Sequence, residues 1–386
     1  MDRVIYFDNN ATTRPLDAVI EAMVPILRDG YANPSSIHQF GQQTRHRVEV
    51  AREQTAALIG ASAREIVFTS GGTESINLAI RGVLSASREK RHVITSAVEH
   101  SAVRNLCGRL TDEGFAVDVL GVDGSGRLVP NELADRLRPD TALVSVMHAN
   151  NETGVLFPIA RVAAICAERG VPLHVDAVQS VGKLPIDVQA CPMTLMSLSG
   201  HKFHGPKGTG ALYVRRRTRI DAQIVGGSQE RELRGGTEHV AGIVGMGVAA
   251  EAAERDMAAH AVAVGALRDR LEQRLVTTIG TSVVMGGGAE RIYNTTNVAF
   301  AGLEAEAILI LLSGAGICAS SGSACSSGSL EPSHVIAAMG VDPRIGHGAI
   351  RFSLSHFNSA DEVDEVCRLM PQIVARLESI GSASRG

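Results

Sequence analysis

The chain has 386 residues, with 37 Lys and Arg against 41 Asp and Glu, and this balance provides no basic surface of the kind that binds nucleic acid. No apolar run reaches the length of a membrane span, and the N-terminus lacks the apolar core of a signal peptide, so we expect a cytoplasmic protein with no membrane partner. Six cysteines without a Cys-x-x-Cys pair exclude a disulfide framework.

The first ninety residues predict strands and helices joined by polar turns. The spacing of apolar residues predicts strands at 4–7 and 65–69 and helices at 16–28, 40–59 and 76–84. A polar turn at 8–13 follows the first strand, and a glycine-bearing turn at 70–75 separates the second strand from the third helix.

From residue 92 onward, strands and helices alternate regularly. Strands are predicted at 92–96, 117–122, 142–147, 173–175, 193–198 and 210–214, and helices at 101–113, 130–137 and 159–169. Strands separated by helices predict a mostly parallel sheet that is covered on both faces.

The last third of the chain predicts a smaller α+β domain. A long helical pattern at 243–275 joins it to the sheet domain, and it contains strands at 297–300, 317–319 and 350–353 and helices at 305–312, 332–339 and 361–377. The whole chain is therefore predicted to be an α/β protein with a large sheet domain and a small domain.

The turn at 70–75, Ser-Gly-Gly-Thr-Glu-Ser, lies between a predicted strand and a predicted helix. Free N–H groups and the helix dipole point at an anion in such an arrangement, so the turn is a candidate phosphate cradle. A helix N-cap turn without a ligand is an equally good interpretation of two glycines.

Three further residues stand at predicted strand ends and complete a candidate site. Lys202 follows the strand 193–198 and is placed to act as a reactive amine, with Lys207 and neighbouring histidines as sources of the positive charge that would activate it. Asp176 could keep a heterocyclic nitrogen protonated, which pyridoxal phosphate requires, and His100 could stack on the ring. Taken singly, Lys202 would be a solvated loop lysine and His100 a helix cap.

Cys325 lies in a segment of almost exclusively small polar residues, 319–330. A cysteine in such a segment is better explained by reactivity than by packing, whereas Cys318, in an apolar strand context, is expected to be structural. A disulfide between the two cysteines is disfavoured in the cytosol.

These stretches together resemble the NifS/IscS family of cysteine desulfurases, and the resemblance covers nearly the whole chain. The motifs that carry it are residues 7–13, 33–36, 68–75, 150–154, 174–179, 199–202, 234–237 and 322–325. The resemblance implies a fold-type I, aminotransferase-like enzyme dependent on pyridoxal 5'-phosphate, with a mostly parallel seven-stranded sheet. It implies a large cofactor-binding domain at 15–255 and a small domain formed by 1–14 and 256–386, with the catalytic cysteine loop at about 320–332.

The resemblance also implies roles for single residues. Lys202 would bind the cofactor covalently and move protons at the substrate Cα, Asp176 would pair with the ring nitrogen, Gln179 would bind the phenolate oxygen, and His100 would stack on the ring and transfer protons. Phosphate binding would fall to Gly72, Thr73, Ser199 and His201, and Thr237 would reach the phosphate of the neighbouring subunit in a homodimer. Asn151 and Arg351 match substrate-side residues, and Asn151 would also contact the cofactor.

Cys325 would accept sulfur from L-cysteine as a persulfide, release L-alanine and pass the sulfur to an iron–sulfur scaffold protein, and it could transiently ligate iron–sulfur species. The residues around 40–42, 201–208, 326–334 and 351–355 look closest to the nitrogen-fixation type, NifS, which supplies nitrogenase. The alternatives are a housekeeping IscS-type desulfurase, a selenocysteine lyase, an aminotransferase and a non-catalytic cofactor-binding scaffold.

Overall fold

The computed structural model of the chain describes residues 4–321 and 333–383. Twelve strands lie within them: β1 Ile5–Tyr6, β2 Ile66–Thr69, β3 His92–Ser96, β4 Ala116–Leu120, β5 Thr141–Met147, β6 Leu173–Asp176, β7 Leu195–Ser199, β8 Gly210–Val214, β9 Ser282–Val284, β10 Thr295–Phe300, β11 Ile317–Cys318 and β12 Ala349–Ser353. The α-helices of the same residues are α1 Asp17–Arg28, α2 Gln39–Ala57, α3 Gly72–Ala86, α4 Ser101–Asp112, α5 Pro130–Arg136, α6 Ile159–Glu168, α7 Val240–Thr278, α8 Ala305–Gly314, α9 His334–Ala338, α10 Pro343–Gly346 and α11 Ala360–Ala383.

Seven strands form the central sheet, in the order β2-β8-β7-β6-β5-β3-β4. Only β8 runs antiparallel to its neighbours, so the carboxyl ends of the other six strands meet at one edge. The predicted seven-stranded, mostly parallel sheet is thus confirmed. Ligands bind at this edge in open α/β sheets, where the chain order reverses between β3 and β5.

Apolar side chains alternate between the two faces of this sheet. On β2, Ile66 and Phe68 belong to a core shared with α1, α2, α6 and α7, whereas Val67 belongs to a second core shared with α3 and α4. A sheet buried on both faces needs nearly continuous apolar strands, and all seven residues of β5 are buried.

A separate hydrophobic core belongs to the smaller part of the molecule. It gathers β1, the second half of α7, β10, α8, β11, β12 and α11, with β9, β10 and β12 forming an antiparallel sheet and β1 pairing with β11. Helix α7 contributes Ile243 and Met246 to the large core and Val264 and Leu271 to this one. The predicted domain limits at residues 14/15 and 255/256 remain a prediction.

Several elements differ from the expectation. Strand β9 and helix α10 are too short, at three and four residues, to give a periodic signal. Helix α3 begins at Gly72, four residues before the predicted start. The prediction began too late because Gly71, Gly72 and Thr73 have low helix propensity. No helix of the described residues has the length and apolar character needed to cross a membrane.

Candidate active site

A cavity of about 220 Å³ lies at the carboxyl edge of the central sheet. It brings together nine of the residues predicted for cofactor binding: Gly72, Thr73, His100, Asn151, Asp176, Gln179, Ser199, His201 and Lys202. They come from five separate stretches of the chain, and each stretch follows or ends a strand. The sheet topology alone therefore explains why residues 130 positions apart share one wall.

Lys202 ends a short 3-10 turn, Gly200–Lys202, that directly follows β7. Its Nζ donates to the backbone carbonyls of Asn10 at 2.6 Å and Ala11 at 2.7 Å. The same N-terminal turn also holds His201, whose Nδ1 lies 3.1 Å from Oγ1 of Thr12. The polar turn at 8–13 therefore closes the site behind Lys202.

Asp176 and His100 both line the cavity, and the charge of each affects the pKa of the other. Asp176 is 5% exposed, and its Oδ1 accepts a hydrogen bond from the N–H of Val178 at 3.0 Å. Burial raises the pKa of the Asp176 carboxyl, against the opposing effect of His100 and Lys202. Burial lowers the pKa of His100, and the charge of Lys202 acts in the same direction. Such a buried acid favours a cationic partner in the cavity.

His100 is both a helix cap and a cavity residue. Its Nδ1 accepts the N–H of Ala102 at 3.2 Å at the start of α4, which places the proton of the neutral ring on Nε2. The capping interpretation is therefore correct, and it also fixes the orientation in which the ring is presented to the cavity.

The first turn of α3 forms the anion-binding part of the cavity. Its N-cap, Gly71, has φ +154°, which favours glycine, and a Cβ added to Gly72 would lie 2.7 Å from Cγ2 of Val178. The backbone therefore approaches its neighbours as closely as glycine allows. The first N–H groups of a helix have no intrahelical acceptor and are available to an anion beside Ser199 and His201.

The source of positive charge near Lys202 differs from the expectation. Burial and the nearby lysines lower the pKa of His201 to about 4, and burial lowers that of His204 to about 3, so both rings are neutral at pH 7. Lys207 is exposed. A buried lysine that the sequence did not single out, Lys183, lies near Lys202 instead. The sequence feature that could have pointed to Lys183 is its position four residues after the predicted site residue Gln179.

Arg351 lies beside the cavity rather than in its wall. It is 3% exposed, and its Nη2 donates to Oδ1 of Asp8 at 2.6 Å while its Nη1 donates to the carbonyl of Asn151 at 2.9 Å. Its Nε has no hydrogen-bond partner within the described residues. The two predicted substrate-side residues are therefore in direct contact.

Thr237 does not join the nine residues of the cavity. It lines a separate depression with Arg234 and Ser70, which belongs to the turn that precedes α3. Glu74 connects the two regions, because it accepts the N–H of Ser70 at 2.9 Å and Nε of Arg234 at 3.0 Å.

Cys325 and most of the predicted cysteine loop lie outside the described residues. Cys318 ends β11 as a half-buried free thiol, and burial raises its pKa, as expected of a structural cysteine. Burial likewise raises the pKa of Cys107 and Cys166 to about 12. Within 4–321 and 333–383 no cluster of His, Cys, Asp and Glu side chains is arranged to hold a metal ion.

Comparison with known proteins extends these observations. The aminotransferase class-V model matches residues 5–366. The chain is 52% identical to a cysteine desulfurase of Trichormus azollae over 98% of its length and 94% of the relative. It is 48% identical to the cysteine desulfurase NifS of Azotobacter vinelandii, covering 97% and 94%, and 45% identical to the cysteine desulfurase IscS of Methanosarcina thermophila, covering 98% and 94%.

A solved NifS-like protein superimposes with a TM-score of 0.91 at 39% identity, covering 97% of this chain and all of that one. Sequence and fold thus agree along the whole length, and the chain belongs to the aminotransferase class-V family, within its cysteine desulfurases of the NifS and IscS type.

Proposed function

We propose that this chain is a pyridoxal 5'-phosphate-dependent cysteine desulfurase, which converts L-cysteine to L-alanine and retains the sulfur as a persulfide on Cys325. The observation that carries the proposal is the convergence of Lys202, Asp176, His100 and the N-terminus of α3 on one cavity. Membership of the desulfurase family makes L-cysteine the expected substrate.

The residues of the cavity fit the cofactor group by group. The close-packed glycine turn at the start of α3, with Thr73, Ser199 and His201, suits the phosphate. The buried carboxyl of Asp176 suits a protonated ring nitrogen, since an ion pair would remove the penalty that now raises its pKa. One N–H of the Gln179 amide is bound by the carbonyl of Asn10, so its second N–H would donate to the phenolate oxygen, and Asn151 lines the same cavity.

When bound, pyridoxal phosphate supplies the electron sink that weakens the bond between Cβ and sulfur of the substrate. Lys202 would hold the cofactor and carry a proton to and from the substrate Cα, since its amine stands at the open edge of the sheet. His100, with its ring proton on Nε2, would stack on the cofactor ring and exchange a proton with the substrate.

Arg351 and Asn151 would orient the carboxylate of L-cysteine. The unpartnered Nε of Arg351 is a buried donor that an anionic oxygen would satisfy, and leaving such a donor unpaired is costly. The backbone of Arg351 also pairs with Ser320, the first residue of the predicted cysteine loop, through hydrogen bonds of 2.6 and 3.2 Å. Substrate recognition is thereby adjacent to the base of the segment that carries Cys325.

The sulfur step conserves atoms and charge. The Cys325 thiolate attacks the substrate sulfur, a sulfur–sulfur bond forms as the carbon–sulfur bond breaks, and the carbon skeleton takes up a proton and leaves as L-alanine. The persulfide is a reversible modification that a second thiol can accept. We propose that an iron–sulfur scaffold protein is that acceptor, and that Cys325 transiently ligates iron–sulfur species during transfer.

The proposal extends to the assembly and the cellular role. The position of Thr237, outside the cavity of its own subunit, supports a homodimer in which it reaches the partner's phosphate. We propose a cytoplasmic enzyme of the nitrogen-fixation type that supplies nitrogenase, on the basis of His204 and the residues around it, where the housekeeping type usually has tyrosine.

The test compares wild type with Cys325→Ala, and uses Cys318→Ala as a matched control seven residues away. Wild type and Cys318→Ala should produce alanine and sulfide in equal amounts from L-cysteine with a reductant present. Cys325→Ala should keep the bound-cofactor absorbance and produce neither. Sulfide release at the wild-type rate by Cys325→Ala would refute Cys325 as acceptor, and a wild type without cofactor absorbance would refute the enzyme itself.

A further inference from the structure

A second buried lysine, Lys183, lies close to Lys202 and has no role in the proposed reaction. Its side chain is 7% exposed, and its Nζ donates to the backbone carbonyl of Gln179 at 3.0 Å and to Oε1 of the same residue at 3.5 Å. Burying a lysine is costly unless its charge is paired, and the oxygens that accept its hydrogen bonds here are neutral. Its position therefore calls for an explanation.

The turns that follow β6 bring the side chain of Lys183 back to Gln179. The N–H of Val181 bonds to the carbonyl of Ala177, and the N–H of Leu184 bonds to that of Ser180, so the chain folds back on itself over this segment. Because Lys183 occupies Oε1 of Gln179, the Nε2 group of this amide is directed elsewhere. It donates to the carbonyl of Asn10 at 3.0 Å, the acceptor that Lys202 also uses.

Tight packing fixes the distance between the two lysine segments. Gly182 has φ +76°, and a Cβ added to it would lie only 2.6 Å from Cβ of Phe203, the residue after Lys202. Either feature alone would require glycine at this position. The backbones that carry Lys183 and Lys202 are therefore held against each other and cannot separate without repacking.

Lys183 and Lys202 also both line a further cavity of about 540 Å³. Charged and titratable groups face them from every neighbouring element: Asp17 on α1, Glu251, Arg255, Asp256 and His260 on α7, His204 after β7, His356 after β12, and His100, Asp176 and His201 from the cofactor cavity. Among these, His201 and His204 are neutral at pH 7, as described above.

We propose that Lys183 is a positioning residue for the desulfurase reaction: its buried amine orients the amide of Gln179 and places a second basic group beside the amine of Lys202. This inference rests on the proposed role of Lys202 in binding the cofactor. Lys183 thus takes the part that the sequence had given to Lys207 and the histidines.

Two adjacent amines disfavour each other's protonation. Burial, reinforced by the charge of Lys202, lowers the pKa of Lys183 to about 7, and the repulsion is reciprocal. We expect a charged Lys183 amine to favour the unprotonated amine of Lys202, which is the form that attacks a carbonyl group. Removing the amine of Lys183 should make Lys202 retain its proton to higher pH.

The experiment titrates the absorbance of bound pyridoxal phosphate, whose spectrum reports the proton on the nitrogen of Lys202. In Lys183→Met and Lys183→Gln the midpoint should move upward by about one pH unit, a tenfold gain in proton affinity. In Lys183→Arg, whose charge is permanent, the midpoint should move below that of wild type. Lys207→Met removes an exposed lysine nearby and should leave it unchanged.

A midpoint equal to wild type in a neutral variant that binds the cofactor would overturn the proposal. If neither neutral variant folds, Lys183→Arg decides, and an unchanged midpoint there would overturn it equally. A wild type that gives no cofactor absorbance would contradict the proposed function instead, so the two failures are distinguishable.

Discussion

Glu99 is a carboxyl side chain without solvent access, one residue before His100. Its Oε1 accepts the hydroxyl of Ser96 at 2.5 Å and the N–H of Met147 at 3.0 Å, whereas its Oε2 has no partner among the described residues. Burial, with a smaller contribution from Asp176, raises the pKa of Glu99 to about 8. The residue is therefore a neutral acid at pH 7 that ties β3 to β5 beside the site.

The raised pKa of Glu99 predicts how stability depends on pH. Between its ordinary pKa of 4.5 and about 8, the native state keeps the proton that the unfolded chain releases, so this residue's contribution to stability declines as pH rises. Relative to Glu99→Gln, wild type should lose about 1.4 kcal/mol of unfolding free energy per pH unit within that window. Urea unfolding of both proteins from pH 5 to 8 measures the difference. Parallel pH profiles for the two proteins would contradict the prediction.

The sequence was sufficient to predict those site residues that act through a charged side chain and lie at strand ends. Lys202 and Asp176 stand there, and the alternation of strands and helices sufficed to place them together. It could not identify Asn10, which acts through a backbone carbonyl that any residue would provide. It also missed Lys183, because the burial of a lysine depends on Phe203 and Gly182, which are far apart in sequence and meet only in the fold.

At the scale of elements, the segment 224–239, here called the Thr237 loop, is fastened to α2 by a buried ion pair and to β2 by a hydrogen bond. Arg52 on α2 donates to both carboxylate oxygens of Glu230 at 2.7 and 2.8 Å, and Glu230 also accepts the N–H of Phe68 at 2.8 Å. Three successive residues of the loop, Glu230 to Glu232, have positive φ. Several consecutive non-glycine residues adopt positive φ only where the surrounding structure enforces it.

Breaking this ion pair should be more costly than removing it. Glu230→Gln leaves the buried guanidinium of Arg52 next to Arg231 with only the half-exposed carboxylate of Glu49, 3.4 Å away, and we expect a loss of about 3–5 kcal/mol of unfolding free energy. The double variant Arg52→Met with Glu230→Gln should be more stable than Glu230→Gln alone, because no buried charge that has lost its main partner remains at position 52.

Denaturant unfolding of the two variants and wild type measures these differences. As a control, Arg368→Gln breaks an exposed pair with Glu365 on α11 and should cost less than about 1 kcal/mol. A double variant less stable than Glu230→Gln would show that the pair itself, rather than the unpaired charge, provides the stability.

Element boundaries were predicted where apolar periodicity is strong and missed where other contacts decide. Strands β3 and β8 match their predicted limits because apolar runs end at polar or glycine residues. The start of α3 was misplaced because its first turn consists of residues chosen for close approach to Val178 rather than for helix propensity.

At the scale of the whole molecule, two surface features support the proposed homodimer: the exposed apolar residues on and after α1, and the position of Thr237. Helix α1 exposes Ile20, Val24 and Leu27, which lie on one side of the helix at spacings of four and three residues. Tyr31 and Ile37, which follow the helix, are also largely exposed. Exposed apolar side chains grouped on one helix face mark interaction sites, and Thr237 lines a depression separate from the cavity of its own subunit.

Subunit mixing tests whether Thr237 serves the partner's site. Lys202→Ala and Thr237→Ala homodimers should each have low desulfurase activity, since one lacks the amine and the other a phosphate contact. In a mixed dimer, the subunit with intact Lys202 would receive an intact Thr237 from its partner, so one of its two sites would be complete. Refolding an equal mixture and isolating the mixed dimer with two affinity tags should therefore restore up to half of wild-type activity per dimer.

If Thr237 instead acted within its own subunit, each site of the mixed dimer would carry one defect and activity would stay at the level of the parents. The cofactor spectrum provides a second readout, because the complete site should bind pyridoxal phosphate as tightly as wild type while the other carries both substitutions. Tight binding of one pyridoxal phosphate per mixed dimer, together with recovered desulfurase activity, would require a phosphate site shared between two subunits. A site confined to one subunit could not produce this result.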